Sequence, residues 1–98
     1  MSLDSKKRSY LRSIARNLKP IVQIGKNGLT DESIETIRKA LEDHELIKVK
    51  FLAFKEEKEE LSHELLEKTR ADLVDRMGNI VVLYIKHPDQ NKRKISVK

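Results

Sequence analysis

The sequence predicts an α/β fold with elements in the order helix–strand–helix–strand–helix–strand–strand. Three observations carry that prediction. Apolar residues recur at helical spacing in three segments, short alternating or continuous apolar runs separate them, and Gly- or Pro-bearing turns mark the junctions. At 98 residues the chain has the length of one folding unit. A chain of that size buries about 60–65% of its unfolded surface, enough for one core. A single domain over residues 1–98 is expected, with 1–4 and 88–92 flexible.

The first helix is expected from about Asp4 to Asn17, because Leu3, Tyr10, Leu11, Ile14, Ala15 and Leu18 form one apolar stripe. Pro20 forbids continuation and biases Lys19 towards an extended backbone. Ile21 to Ile24 then reads as a short strand closed by the turn Gly25-Lys26-Asn27-Gly28. Thr30 is a good N-cap for a second helix to about Asp43, with Asp31 and Glu32 favoured in its first turn and Ile34, Ile37 and Leu41 as its core face.

Leu46 to Leu52 alternates, with Ile47, Val49 and Phe51 on one side and Lys48 and Lys50 on the other, the pattern of a half-buried strand. Lys55 to Glu60 forms a charged connection or first turn, and the third helix continues through Leu61, Leu65 and Leu66 to about Arg70. Gly78-Asn79 is a hairpin-type turn, so both flanks are expected as strands. Ile80 to Ile85 is apolar throughout, as for a central strand covered on both faces. Ile95 and Val97 could add a short edge strand in a basic tail.

Composition removes several function classes. Without cysteine there is no disulfide, thiol nucleophile or Cys-based zinc site. His44, His63 and His87 form no HExxH and no pair at metal-ligand spacing, and no nucleotide-binding or nucleophile-elbow motif occurs. No catalytic constellation, cofactor, metal or small-molecule substrate is therefore expected. The charged amino terminus lacks a signal-peptide core and no apolar run reaches membrane-spanning length. A cytoplasmic, membrane-free protein is the expectation.

Charge is unevenly distributed. Residues 1–30 carry seven Lys or Arg against Asp4 alone, a net +6; residues 31–60 carry −4 and residues 61–98 carry +3. Such asymmetry suits a polyanion binder, unless basic and acidic segments pair across the fold. Arg8, Arg12 and Arg16 lie one turn apart on the first helix, about 6 Å between stems, with Lys19 just beyond. Arginine forks suit phosphate, although a plain solubilising face has the same pattern. Lys48 and Lys50 on one strand, and Arg93-Lys94 in the tail, add further cations; edge lysines also serve as protection against aggregation.

The Gly25–Gly28 pair has the clearest mechanism. A GxxG loop between strand and helix lets a sugar-phosphate chain approach closely, as in KH modules. Lys26 and Asn27 would add a cation and donors. The alternative is that the glycines only make the turn. Asp31 and Glu32 would repel a phosphate at the helix end, which favours approach along the loop over capture by the helix dipole. With only two Tyr and two Phe, a stacking reader is disfavoured.

The run Leu18-Lys19-Pro20-Ile21-Val22-Gln23-Ile24-Gly25-Lys26-Asn27-Gly28-Leu29-Thr30 resembles the signature of the CRM (chloroplast RNA splicing and ribosome maturation) domain in its free-standing, YhbY-like form. So do His44-Glu45-Leu46-Ile47-Lys48-Val49-Lys50 and Arg93-Lys94-Ile95-Ser96. The resemblance implies a four-stranded mixed sheet packed with helices, similar to the C-terminal domain of the third translation initiation factor with an extra helix in front. It also implies RNA binding, with precursors of the large ribosomal subunit as partner for single-domain members. Carried over by position, contacts would include Gly25, Lys26, Asn27 and Gly28, supported by Lys19, Arg12 and Lys48. The rival expectations are an adaptor whose acidic 31–60 segment docks a ribosomal protein, and a splicing or chaperone-type accessory factor.

Overall fold

In the computed structural model, which describes residues 4–52, 58–93 and 95, the local signals of the sequence are used much as they were laid down. Asp4 caps α1 (Ser5–Ala15), its Oδ1 accepting from the Lys7 backbone N–H at 2.8 Å. The helix buries Leu11 and Ala15 and gives way before Pro20. The strand β1 (Val22–Ile24) leads through the glycine turn to α2 (Asp31–His44). Thr30 caps α2 with a reciprocal partner that sequence reading missed. Thr30 Oγ1 accepts from Ser33 N at 3.1 Å, and Ser33 Oγ accepts from Thr30 N at 2.8 Å. Then follow β2 (Leu46–Phe51), α3 (Lys58–Thr69), β3 (Asp72–Met77) and β4 (Ile80–Tyr84), with a 3-10 turn at Gln90–Lys92.

The four strands form one mixed sheet in the order β1-β2-β4-β3. The β1–β2 pair is parallel, and β4 runs antiparallel to both β2 and β3. Continuous apolar residues put β4 in the interior, where Val81, Val82, Leu83 and Tyr84 are all buried. A register shift between Leu73 and Asp75 leaves Val74 as an extra residue in β3. This is the expected single α/β domain with a four-stranded mixed sheet.

Alternation splits the core in two. Val22, Ile24, Ile47, Val49, Phe51, Val81 and Leu83 face α2 and α3, whereas Leu46, Val74, Val82 and Tyr84 face α1. The helices therefore sandwich the sheet, one on one face and two on the other. Their charges differ as sharply: α1 carries four basic residues and no acid, while α2 and α3 together carry nine acids and four bases.

Two local expectations need correction. Leu46–Phe51 is not half-buried with its lysines in solvent, because β2 lies between β1 and β4 under α1, and Lys48 is only 7% exposed. Ile95 joins no strand; it packs against the α1-side core. The expected partner Val97, like Lys94, lies outside the described residues.

Candidate functional site

The turn Gly25–Gly28 forms where β1 ends at the sheet edge. Gly28 N donates to Gly25 O at 3.1 Å, closing a four-residue turn, and Gly28 takes φ +67°, the left-handed conformation that a side chain disfavours. Gly25 differs: a Cβ built there meets nothing within 4 Å, so its bareness leaves open surface and is not required by packing. Lys26 and Asn27 at the tip are exposed. The turn and the first residues of α2 line a concavity of about 450 Å³. Within it the Thr30–Ser33 capping box occupies two of the amide donors at the helix end, and Asp31 and Glu32 stand in the same wall. The opening thus favours a backbone laid along Gly25–Gly28 over an anion seated on the helix terminus.

The remaining candidate cations are not gathered around this turn. Arg8 donates from Nε to Leu73 O at 3.3 Å, and Arg12 Nε lies 3.6 Å from Asp75 Oδ2. Both reach β3, the edge opposite β1. Three strand spacings, about 14 Å, separate those edges. The arginine row is also not free of acid, since Asp75 arrives from another element and answers Arg12. Arg16, the C-terminal cap of α1, is exposed, and so is Lys19. Lys19 enters at the head of β1 while the turn lies at its tail, about 10 Å of strand apart.

Lys48 is a structural cation. Its Nζ donates to Leu18 O at 2.9 Å under α1, which withdraws it from any surface role. Lys50, one pleat further along, is half-buried beside Gln23 and Ile80. Arg93 is held at the opposite end of the sheet, its Nε donating to His87 O at 2.9 Å. Lys94 lies outside the described residues.

Sequence reading also missed Glu45. Its side chain is fully buried, its backbone takes φ +64° and ψ −42°, and its carboxylate accepts from His87 N (2.8 Å) and Ile95 N (3.0 Å). The rare conformation is sustained by those bonds and by Ile85 N donating to Glu45 O at 3.0 Å. No glycine or proline announces the position. Among the described residues no group of three or more His, Asp or Glu could hold a metal ion, and no helix is long and apolar enough to cross a membrane.

Comparison with known proteins places the chain as a whole. Residues 3–84 match the family model described as CRS1 / YhbY (CRM) domain. A Bacillus subtilis protein named "Probable RNA-binding protein YqeI" is 42% identical over 92 residues, covering 93% of this chain and 95% of its own. A Pseudomonas aeruginosa protein, also named "Probable RNA-binding protein", is 39% identical over 93 residues, covering 94% and 89%. The solution structure of a Staphylococcus aureus protein superposes with a TM-score of 0.80 at 40% identity, over 98% of this chain and 99% of that one.

Proposed function

The chain belongs to the CRS1 / YhbY (CRM) domain family, and from that premise we propose that it is a non-catalytic RNA-binding protein. The RNA backbone lies along Gly25–Gly28. The observation that carries this reading is the unobstructed turn, in which Gly25 has open space where a side chain would stand and Lys26 offers a cation at the tip. The exposed Arg16, Lys19 and partly exposed Arg12 add attraction from the α1 face. The preferred RNA is structured large-subunit ribosomal RNA during assembly, read through phosphates and 2′-hydroxyls in the cytoplasm.

The test is sedimentation of cell extract with and without ribonuclease, using the intact protein and a Gly25→Asp variant. Co-migration with large-subunit precursor particles that is lost on RNA digestion, and lost in the variant, supports the reading. Co-migration surviving digestion instead supports an adaptor. That second reading has one specific observation in its favour: the acids of α2 and α3 collect on the sheet face away from α1, suited to a basic ribosomal protein.

A further inference from the structure

A strip of open sheet lies between the glycine turn on one edge and Arg12 on the other. One cross-strand row builds it: Gln23 pairs with Lys50, Lys50 with Ile80, and Ile80 with Met77. Directly paired residues share a face. Ile80 is two residues before Val82 and Lys50 two after Lys48, so the row faces the same side as α1. The helix covers that face only as far as the level of Lys48 and Val82. Beyond it Gln23 is exposed, Lys50 and Ile80 are half-buried, and Met77 is 43% exposed. Leu52, whose N–H bonds to Ile24 O at 2.8 Å beside Gly25, is 50% exposed.

We propose that this row is a base-contact platform: it receives unpaired nucleotides of an RNA strand whose backbone rests on Gly25–Gly28. The proposal rests on the RNA-binding reading and adds to it a substrate class, single-stranded or bulged RNA. The row's chemistry is the reason. Ile80 and Met77 present apolar, polarizable surface to a base ring. Gln23 offers a donor and an acceptor to a base edge, and Lys50 supplies a cation between them. A duplex read only by its phosphates has no use for exposed aliphatic side chains, because its bases are stacked and out of reach. A protein occupant is less suited to a strip with an ammonium at its centre, flanked by Lys26 at the turn and, over β3, by Arg12, which Asp75 only partly answers. The row spans the sheet's width, so it also joins two basic sites that the fold holds about 14 Å apart.

The test compares two RNA hairpins of equal length and charge, one fully paired and one carrying a short unpaired bulge. In filter binding at fixed salt the intact protein should prefer the bulged hairpin by about tenfold. The Gln23→Ala/Met77→Ala variant, which alters no charge and touches only edge strands, should bind both alike, with its affinity for the paired hairpin and its melting curve unchanged. As a second readout independent of variants, 4-thiouridine in the bulge should crosslink to the peptide containing Met77 and Ile80. Equal affinity of the unaltered protein for the two hairpins, a preference that survives the double substitution, or crosslinks confined to other segments would overturn the platform while leaving RNA binding intact. Failure to bind either hairpin would instead defeat the RNA reading itself.

Discussion

The ammonium of Lys48 donates a 2.9 Å hydrogen bond to the carbonyl oxygen of Leu18, thirty residues earlier. It ties the interior of β2 to the chain just past α1 and so fixes how the basic helix crosses the sheet. A lysine this buried keeps its charge partnered at the cost of its freedom. Lys48→Met retains the stem but leaves the carbonyl without its donor. Stability should fall by about 1–3 kcal/mol in urea unfolding, while RNA affinity of the folded fraction stays within about twofold. Lost binding at unchanged stability would return Lys48 to the surface role that its pattern suggested.

The two loop glycines should separate under mutation. Gly25 has room for a side chain, whereas Gly28 at φ +67° does not welcome one. Gly28→Ala should cost about 1 kcal/mol or somewhat more in stability, and Gly28→Asn less, since Asn tolerates left-handed backbone. Gly25→Asp should leave the melt unaltered yet weaken RNA binding at least about tenfold, through bulk and charge placed on the proposed contact path. Identical melts for all three variants would contradict the distinction.

Asp75 partly answers Arg12 at 3.6 Å on the α1 side of the sheet. The pair is solvent-accessible and contributes little to stability, about 0–1 kcal/mol. Asp75→Asn should therefore leave folding almost unchanged but release the guanidinium and remove a repulsive charge. RNA affinity should rise by about two- to fivefold at low salt, with the gain shrinking as salt increases. A loss of affinity would mean that Asp75 orients Arg12 for contact.

Glu45 pins the chain that follows β4 by accepting from His87 and Ile95 amides. Glu45→Ala should destabilise by about 2–4 kcal/mol, because the buried His87 amide and the part-buried Ile95 amide lose their shared acceptor. Hydrogen exchange at the His87 and Ile95 amides should accelerate more than exchange in the core of β4. Uniform acceleration would show that the carboxylate supports the whole fold and not the tail specifically.

Periodicity made most elements legible, because helix stripes, Pro20, Thr30 and Gly78-Asn79 act over a few residues. What escaped depends on strand order and on contacts distant in sequence. Lys48 reads as solvent-facing until α1 is known to lie across it. Arg12 reads as a supporting cation of the glycine turn until the order β1-β2-β4-β3 places β3, which it reaches, at the far edge. The exposed row from Gln23 to Met77 exists only through register across three strand pairs. Glu45 carries no local signal, since its partners lie 42 and 50 residues away. The GxxG motif was readable in place, but not the difference between its glycines.

Tyr84 closes β4 with its hydroxyl buried and without a hydrogen-bond partner among the described residues. Burial pushes its phenol above the ordinary value, the Glu45 carboxylate adds to that, Arg93 opposes it, and Asp72 adds slightly. An acid whose folded pKa exceeds its unfolded one leaves stability independent of pH while both states keep the proton, that is, below about 10. Above that pH the unfolded chain ionises first and binds fewer protons, so stability falls as pH rises towards the folded value. Tyr84→Phe removes both the unpartnered hydroxyl and this alkaline loss. At pH 7 the variant should match the original protein or exceed it by up to about 1–2 kcal/mol, and its urea midpoint should decline less between pH 9 and pH 10.5. A variant clearly less stable at pH 7 would show that the hydroxyl is bonded in solution.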